Sequence, residues 1–295
     1  MRSNPKPRPP VSGSPAPHTP PIALTVAGFD PSSGAGITAD LQVFAAHGLF
    51  GASAITALTV QSTLGVESVH PTAPNLLLRT LQHVSADLPA SGVKVGMLAS
   101  EANVVALAKF LSLAPTPVPV VLDPVLRSSS GHALLEPAAL RRLHNELLPL
   151  VGWITPNWAE LEALTGLRVR TFDQVPAAAE ALGRLHPALT LVVTGGDAPQ
   201  PVDLLRIPGG PIQTFPGQHI ETTSTHGTGC AFSASLLARL ILGDAPAQAV
   251  SRAKAYVAEA LRSAPGLGHG RGPLNLLWPL RAGRSPNNSQ ASNNC

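Results

Sequence analysis

The chemistry of this sequence is plainest where a Gly-rich turn opens an apolar helix. Thr225-His226-Gly227-Thr228-Gly229-Cys230-Ala231 follows Thr222, Thr223 and Ser224 and runs into Phe232, Leu236, Leu237 and Leu240 at helical spacing. Unpaired backbone N–H groups and the helix dipole both favour negative charge at such a turn, so it is a ready anion site. Cys230 falls in the first turn, where the same field is expected to stabilise its thiolate and lower its pKa. A thiolate there would accept a proton from a substrate hydroxyl at neutral pH. The competing reading is a small buried thiol that fills a gap.

A second Gly-rich segment, Ala27-Gly28-Phe29-Asp30-Pro31-Ser32-Ser33-Gly34-Ala35-Gly36, leads towards Asp40. Its glycines permit tight turning and close approach of backbone to a ligand. Asp30 or Ser33 acting as a cap in a purely structural turn would explain the same pattern. Two acids follow apolar runs: Asp123 in Val121-Leu122-Asp123-Pro124-Val125, and Glu160 in Thr155-Pro156-Asn157-Trp158-Ala159-Glu160. One or two carboxylates, with phosphate oxygens and waters, are the usual surroundings of Mg²⁺. Equally, Asp123 would suit a turn before Pro, and Glu160 the first turn of a helix.

Other chemistries thin out. The P-loop pattern is absent, and Gly266, Gly268, Gly270 and Gly272 follow no clear strand, against a dinucleotide fingerprint. The ten histidines lack metal-ligand spacing and there are no tandem Cys pairs for zinc.

The elements that must position these residues alternate in type. Ile22–Ala27 reads as a strand, and Ile37, Leu41, Phe44 and Ala45 as a helix ended by Gly48. Strands are expected at Ala52–Val60, Val66–His70, Val93–Met97, Pro119–Leu122, Trp153–Thr155 and Leu189–Thr194, with two short pairing strands in Asp203–Phe215. Helices are expected at Ala73–Leu88, Glu101–Leu113, Glu136–Leu148, Trp158–Leu164 (closed by Gly166), Asp173–His186, Thr228–Leu242 and Ala245–Ala264. This alternation implies right-handed βαβ crossovers, a mainly parallel sheet and a three-layer αβα sandwich. Ligands of open sheets sit beyond the carboxyl ends of the strands, where the segments above fall.

Hydrophobic residues make up 44% of the 295 and aromatic ones only 4%, so the core is aliphatic, as suits a sheet covered on both faces. No apolar run is long enough to span a membrane. Arg2, Lys6 and Arg8 near one end and Arg281 and Arg284 near the other, with no acids beside them, account for the basic balance. Without those five residues the middle of the chain carries about −2, which argues against nucleic-acid binding. Residues 1–21 are Pro-rich without an apolar signal region, and 281–295 are Ser/Asn-rich; both are expected to be disordered tails around one domain, 22–280. Cys230 and Cys295 are not expected to pair, which fits a reducing cytoplasm.

In their order, these segments resemble the hydroxymethylpyrimidine/phosphomethylpyrimidine kinases of the ribokinase-like fold, over about Ile22 to Pro273. The matches are Ala27–Asp40, Ile55–Gln61, Val93–Leu98, Leu122–Val125, Thr155–Glu160 and, most specifically, Thr225–Cys230. The resemblance implies ATP-dependent phosphorylation of 4-amino-5-hydroxymethyl-2-methylpyrimidine and of its monophosphate, in thiamine biosynthesis, by a cytoplasmic homodimer. It implies that Gln61 bonds the aminopyrimidine, that Gly28, Ala35, Met97 and Val125 line the ring pocket, and that Asp40 shapes it. Gly227, Thr228, Gly229 and Cys230 would form the anion hole, with Cys230 as base. Asp123 and Glu160 would place Mg²⁺, while Asn157, Thr194 and Gly195 would meet ATP.

Two segments depart from that family. Thr194 and Ser129 stand where lysines are usual, and Asp197 where a His is usual; Arg127 is the nearest substitute cation for Ser129. A pyridoxal kinase, or a pyrimidine-binding regulatory protein without catalysis, are the alternative readings.

Overall fold

Strand β1 (Ile22–Phe29) shows why the chain forms layers. Leu24 and Val26 enter one hydrophobic core and Ala23 the other, because successive side chains leave a strand on opposite faces. Val120 and Leu122 against Val121, and Leu191 and Val193 against Val192, repeat that division. A strand buried on both faces therefore reads as an unbroken apolar run, which is how these segments read in the sequence.

The computed structural model describes residues 19–113, 118–128, 131–136, 138–196, 198 and 201–282. Ser129, Asp197, Cys295 and most of both expected tails lie outside the described residues. Within them, β1, β2 (Phe50–Ser62), β3 (Gly65–Pro71), β4 (Gly92–Val95), β5 (Val120–Leu122), β6 (Trp153–Ile154), β7 (Thr190–Val193), β8 (Val202–Arg206) and β9 (Gln213–Pro216) form one nine-stranded sheet. Its order is β3-β2-β1-β4-β5-β6-β7-β8-β9. The centre, β2 to β7, is parallel, while β3, β8 and β9 pair antiparallel at the two edges.

One face is covered by α2 (Pro74–Asp87), α3 (Glu101–Ser112), α4 (Ala139–Arg142), α5 (Trp158–Thr165) and α6 (Val175–Leu185), which supply Leu77, Leu81, Leu107, Leu161 and Leu182 to its core. The other is covered by α1 (Gly36–Ala46), α7 (Thr228–Ile241) and α8 (Pro246–Arg262), with Phe44, Leu236, Leu237 and Val250 buried. A short α9 (Trp278–Ala282) follows. The three-layer αβα sandwich expected from the alternation is thus the observed architecture. No helix among the described residues is long and apolar enough to cross a membrane.

The segment expected as one helix, Glu136–Leu148, is not one. After α4 the coil widens over Leu143–Leu147 and then tightens over Leu148–Leu150. Pro149 has no N–H to continue an α-helical ladder, so the end of the coil departs from α geometry. The α5 start is as the sequence suggests: Asn157 Oδ1 accepts from Glu160 N and Glu160 Oε2 from Asn157 N, both at 2.9 Å. Gly166 ends it in the left-handed region at φ 70°.

Candidate active site

A cleft of about 780 Å³ opens beyond the carboxyl ends of the parallel strands. The loop after β1 contributes Gly28, Asp30 and Ala35, and the end of β2 contributes Gln61. Met97 follows β4, Asp123 and Val125 follow β5, and Asn157 and Glu160 follow β6. Thr194 follows β7, and Gly227, Thr228, Gly229 and Cys230 open α7. Residues scattered over two hundred positions therefore share one cavity.

Two of the sequence-predicted residues do not line it. Asp40 has no solvent exposure and sits one layer behind. Its Oδ2 accepts from Thr25 Oγ1 at 2.6 Å and from Lys94 Nζ at 2.9 Å, so it supports the wall rather than meeting substrate. Gly195 turns its N–H to Asp203 Oδ1 at 3.0 Å and packs against Val202.

The start of α7 is held by two interlocked loops. Gly227 caps α7 in the left-handed region at φ 85°, and a Cβ there would collide with the carbonyl of Gly34. No side chain caps α7, so the N–H groups of its first turn lack an intrahelical partner, and Thr228, Gly229 and Cys230 line the cleft. Between the loops lies His226, whose Nε2 is 2.7 Å from Asp30 Oδ2 and 3.0 Å from Gln61 Nε2. Asp30 also organises its own turn, as the capping reading anticipated: Oδ1 accepts from Ser32 N at 2.8 Å and Oδ2 from Ala35 N at 2.9 Å. Burial alone would raise the Asp30 carboxyl; hydrogen bonds from His226 and Ser32 outweigh it and hold the group below its usual 3.8.

The expectation of a lowered Cys230 pKa is overturned. Burial pushes the thiol up to about 12 despite the pull of Lys94, and the carboxylates of Asp123 and Asp40 push the same way. Cys230 is half-buried beside the Asp123 carboxyl, which it helps to hold down against burial. The helix dipole is outweighed because two acids and a desolvated pocket surround the sulfur. Asp123 is itself raised by burial, against Lys94, and its Oδ2 accepts from Ser233 Oγ at 3.1 Å.

Lys94 is the functional-site residue that sequence reasoning passed over. It lines the cleft yet is wholly buried in β4, between Val93 and Val95. Burial opposes its charge, but Asp40, Cys230 and Asp123 outweigh that and hold the ammonium above the ordinary lysine value. A lone charge within an apolar strand was the available signal, since such a residue needs a buried partner. His226 and Asp30 likewise lacked an assigned pairing, because 196 residues separate them.

A nine-stranded αβα sheet with a Gly-rich helix start at the rim of its cleft is the architecture of the ribokinase-like small-molecule kinases. The family model for phosphomethylpyrimidine kinase matches residues 30–275, and the chain belongs to that family. It is 40% identical over 258 residues to a hydroxymethylpyrimidine/phosphomethylpyrimidine kinase of Rhizobium meliloti, covering 86% of this chain and 96% of that protein. It is 39% identical over 256 residues to the thiamine biosynthesis bifunctional protein ThiED of Geobacter sulfurreducens, covering 86% of this chain but only 52% of that longer protein. Among solved structures, an ADP complex of Bacillus subtilis pyridoxal kinase superposes with a TM-score of 0.79 at 30% identity, over 89% of this chain and 99% of that one.

Proposed function

We infer that this chain transfers the γ-phosphoryl group of ATP to 4-amino-5-hydroxymethyl-2-methylpyrimidine, and then a second one to the monophosphate, in thiamine biosynthesis. The observation that carries this reading is that Gln61 and the uncapped first turn of α7 line a single cleft. Gln61 offers an amide to a ring nitrogen and an exocyclic amine, and the first turn of α7 offers backbone N–H groups to a phosphoryl group.

Gly28, Ala35, Met97 and Val125 provide the walls against which a flat ring would stack, with Gln61 fixing its edge. The side chain of Cys230 then meets the hydroxymethyl oxygen and orients it. That oxygen forms the new O–P bond, the bond from the γ-phosphorus to the bridging oxygen breaks, and ADP leaves with that electron pair. The hydroxyl proton, made acidic as the O–P bond forms, passes to a non-bridging oxygen of the arriving phosphoryl group. No thiolate is required, in keeping with a thiol held near pKa 12. The N–H groups of Thr228, Gly229 and Cys230 stabilise charge on the transferring group, and in phosphoryl transfer such positioning and charge stabilisation supply most of the catalysis.

Asp123 and Glu160 fit Mg²⁺ by the chemistry of their donors: both are hard carboxylates lining the cleft, the kind of ligand Mg²⁺ takes beside phosphate oxygens. Mg²⁺, when bound, supplies neutralisation of the polyphosphate charge. Asn157 and Thr194 line the same wall and would meet the nucleotide.

A coupled ATP-turnover assay with hydroxymethylpyrimidine, its monophosphate and pyridoxal, each offered alone, tests the reading. Turnover on the first two and little on the third is expected. Faster turnover on pyridoxal would replace it with a pyridoxal kinase. Pyrimidine binding without turnover on any of the three would leave a non-catalytic binding protein.

A further inference from the structure

Cations able to reach phosphate are scarce in this cleft, where Asp30, Asp123 and Glu160 already place negative charge. Among the described lining residues, Lys94, Arg127 and Arg271 are the basic side chains of fixed charge. Lys94 is committed to Asp40 and wholly buried. Arg127 Nη1 donates to Gly131 O at 3.2 Å. Thr194 lines the cleft with no charge at all. Arg271 is exposed, and its guanidinium has no hydrogen-bond or ion-pair partner among the described residues.

Its backbone, by contrast, is fixed. Arg271 N donates to Thr63 O at 2.9 Å, Gly272 N donates to Thr223 O at 3.1 Å, and Gly272 O accepts from His226 N at 3.1 Å. The flanking glycines let this strap wedge between the β2–β3 turn and the anion-hole loop. A Cβ on Gly270 would collide with the Thr63 carbonyl, and one on Gly272 would come within 2.8 Å of Ser224 Oγ and Leu267 O. Arg271 is thus the one side chain of Gly270-Arg271-Gly272, anchored two residues from Pro273, which bridges to His226 beside the anion hole. It lines both the main cleft and an adjoining pocket of about 620 Å³ that also includes Gln61, Ser128, Gly196 and Thr225. The Gly-rich stretch without a preceding strand, which fits no dinucleotide fingerprint, here serves as a mount for one guanidinium.

We propose that Arg271 is the phosphate-binding cation of this cleft, supplied by the glycine strap in place of a cation at Thr194. Its planar fork of donors suits two phosphate oxygens at once, and a mount without side chains of its own leaves the guanidinium free to swing onto them. The inference rests on the kinase reading above.

Arg271→Ala, Arg271→Lys and Arg271→Ala/Thr194→Lys test it by steady-state kinetics and by calorimetric titration with a non-hydrolysable ATP analogue. With the unphosphorylated pyrimidine as acceptor, Arg271→Ala is expected to raise the KM for ATP by about tenfold or more, as loss of a charge-assisted hydrogen bond implies. The pyrimidine KM should stay near that of the wild type. Arg271→Lys should fall between, and Thr194→Lys should recover nucleotide affinity in the Ala background. A defect confined to the monophosphate acceptor would identify its phosphate, rather than ATP, as the group held. An unchanged KM for both ATP and the monophosphate would overturn the proposal, as would a rise in the pyrimidine KM equal to that for ATP. If the wild type binds the analogue without turning over, the kinase reading fails, and weaker analogue binding by Arg271→Ala would still uphold the cation.

Discussion

His226 Nε2 stands 2.7 Å from Asp30 Oδ2, joining the loop after the first strand to the loop before α7. Both partners are buried, so removing either strands the other without its short hydrogen bond. Asp30→Asn and His226→Gln should each destabilise the fold by about 1–3 kcal/mol, the range for stranding a buried hydrogen-bonding group. The double variant should cost less than the sum of the two, as residues in one network couple. Urea unfolding of the four proteins checks this; strict additivity would mean that the contact is incidental.

The same carboxyl sets a pH dependence. Asp30 is held below its usual 3.8, so its contribution is fully present above the unfolded-state value and lost as pH falls through the lower native one. The difference in unfolding free energy between wild type and Asp30→Asn should therefore be flat at neutral pH and shrink only below about pH 4. A difference that shrank between pH 8 and pH 6 would contradict the assignment.

Gly227→Ala should be far more damaging than its one carbon suggests. The added Cβ meets the Gly34 carbonyl in a backbone held at φ 85°. A left-handed non-Gly residue alone costs about 1–2 kcal/mol, and the collision must also push the two loops apart. Turnover should fall at least about tenfold, since misplacing groups at a reaction centre by an ångström costs about a hundredfold. Retention of the far-ultraviolet dichroism would locate the defect in the site.

Cys230 should be unreactive as well as important. With Cys295 replaced by Ser, Cys230 is the remaining cysteine, and a thiol pushed up to about 12 should alkylate very slowly with iodoacetamide at pH 7–8 until the protein is unfolded. Rapid modification of the folded protein at pH 7 would restore the thiolate base. Cys230→Ala should lower kcat while leaving the pyrimidine KM near the wild-type value.

Lys94→Met leaves Asp40 buried without its counter-ion. Breaking such a pair costs about 3–5 kcal/mol; replacing both residues, as Lys94→Met/Asp40→Leu, should recover much of it. Denaturant midpoints of the two variants decide this.

The layers of this protein were legible because they rest on local signals. Apolar runs in β1, β5 and β7, the capping pair Asn157 and Glu160, and the glycine after α5 each act within a few residues. Gln61, Met97 and Cys230 were placed in the cleft by motif and remain there. What escaped depends on distant partners. The environment of Cys230 is set by Asp123 and Lys94, and Lys94 is explained by Asp40, 54 residues away. The role of Asp40 as a buried support, and of Gly195 as a partner to Asp203, is likewise visible only once the strands are side by side.

The strap around Gly270 reaches Thr63 across 207 residues of chain. Asp30 and His226, in the same wall, meet across a comparable 196 residues. Contacts so far apart in sequence carry the largest loop-closure cost and form slowly. In a chain growing from its N-terminus, every strand would exist before the segment that seats Arg271 beside His226. A growing chain would therefore carry every strand of the sheet before the guanidinium proposed to meet phosphate has its mount.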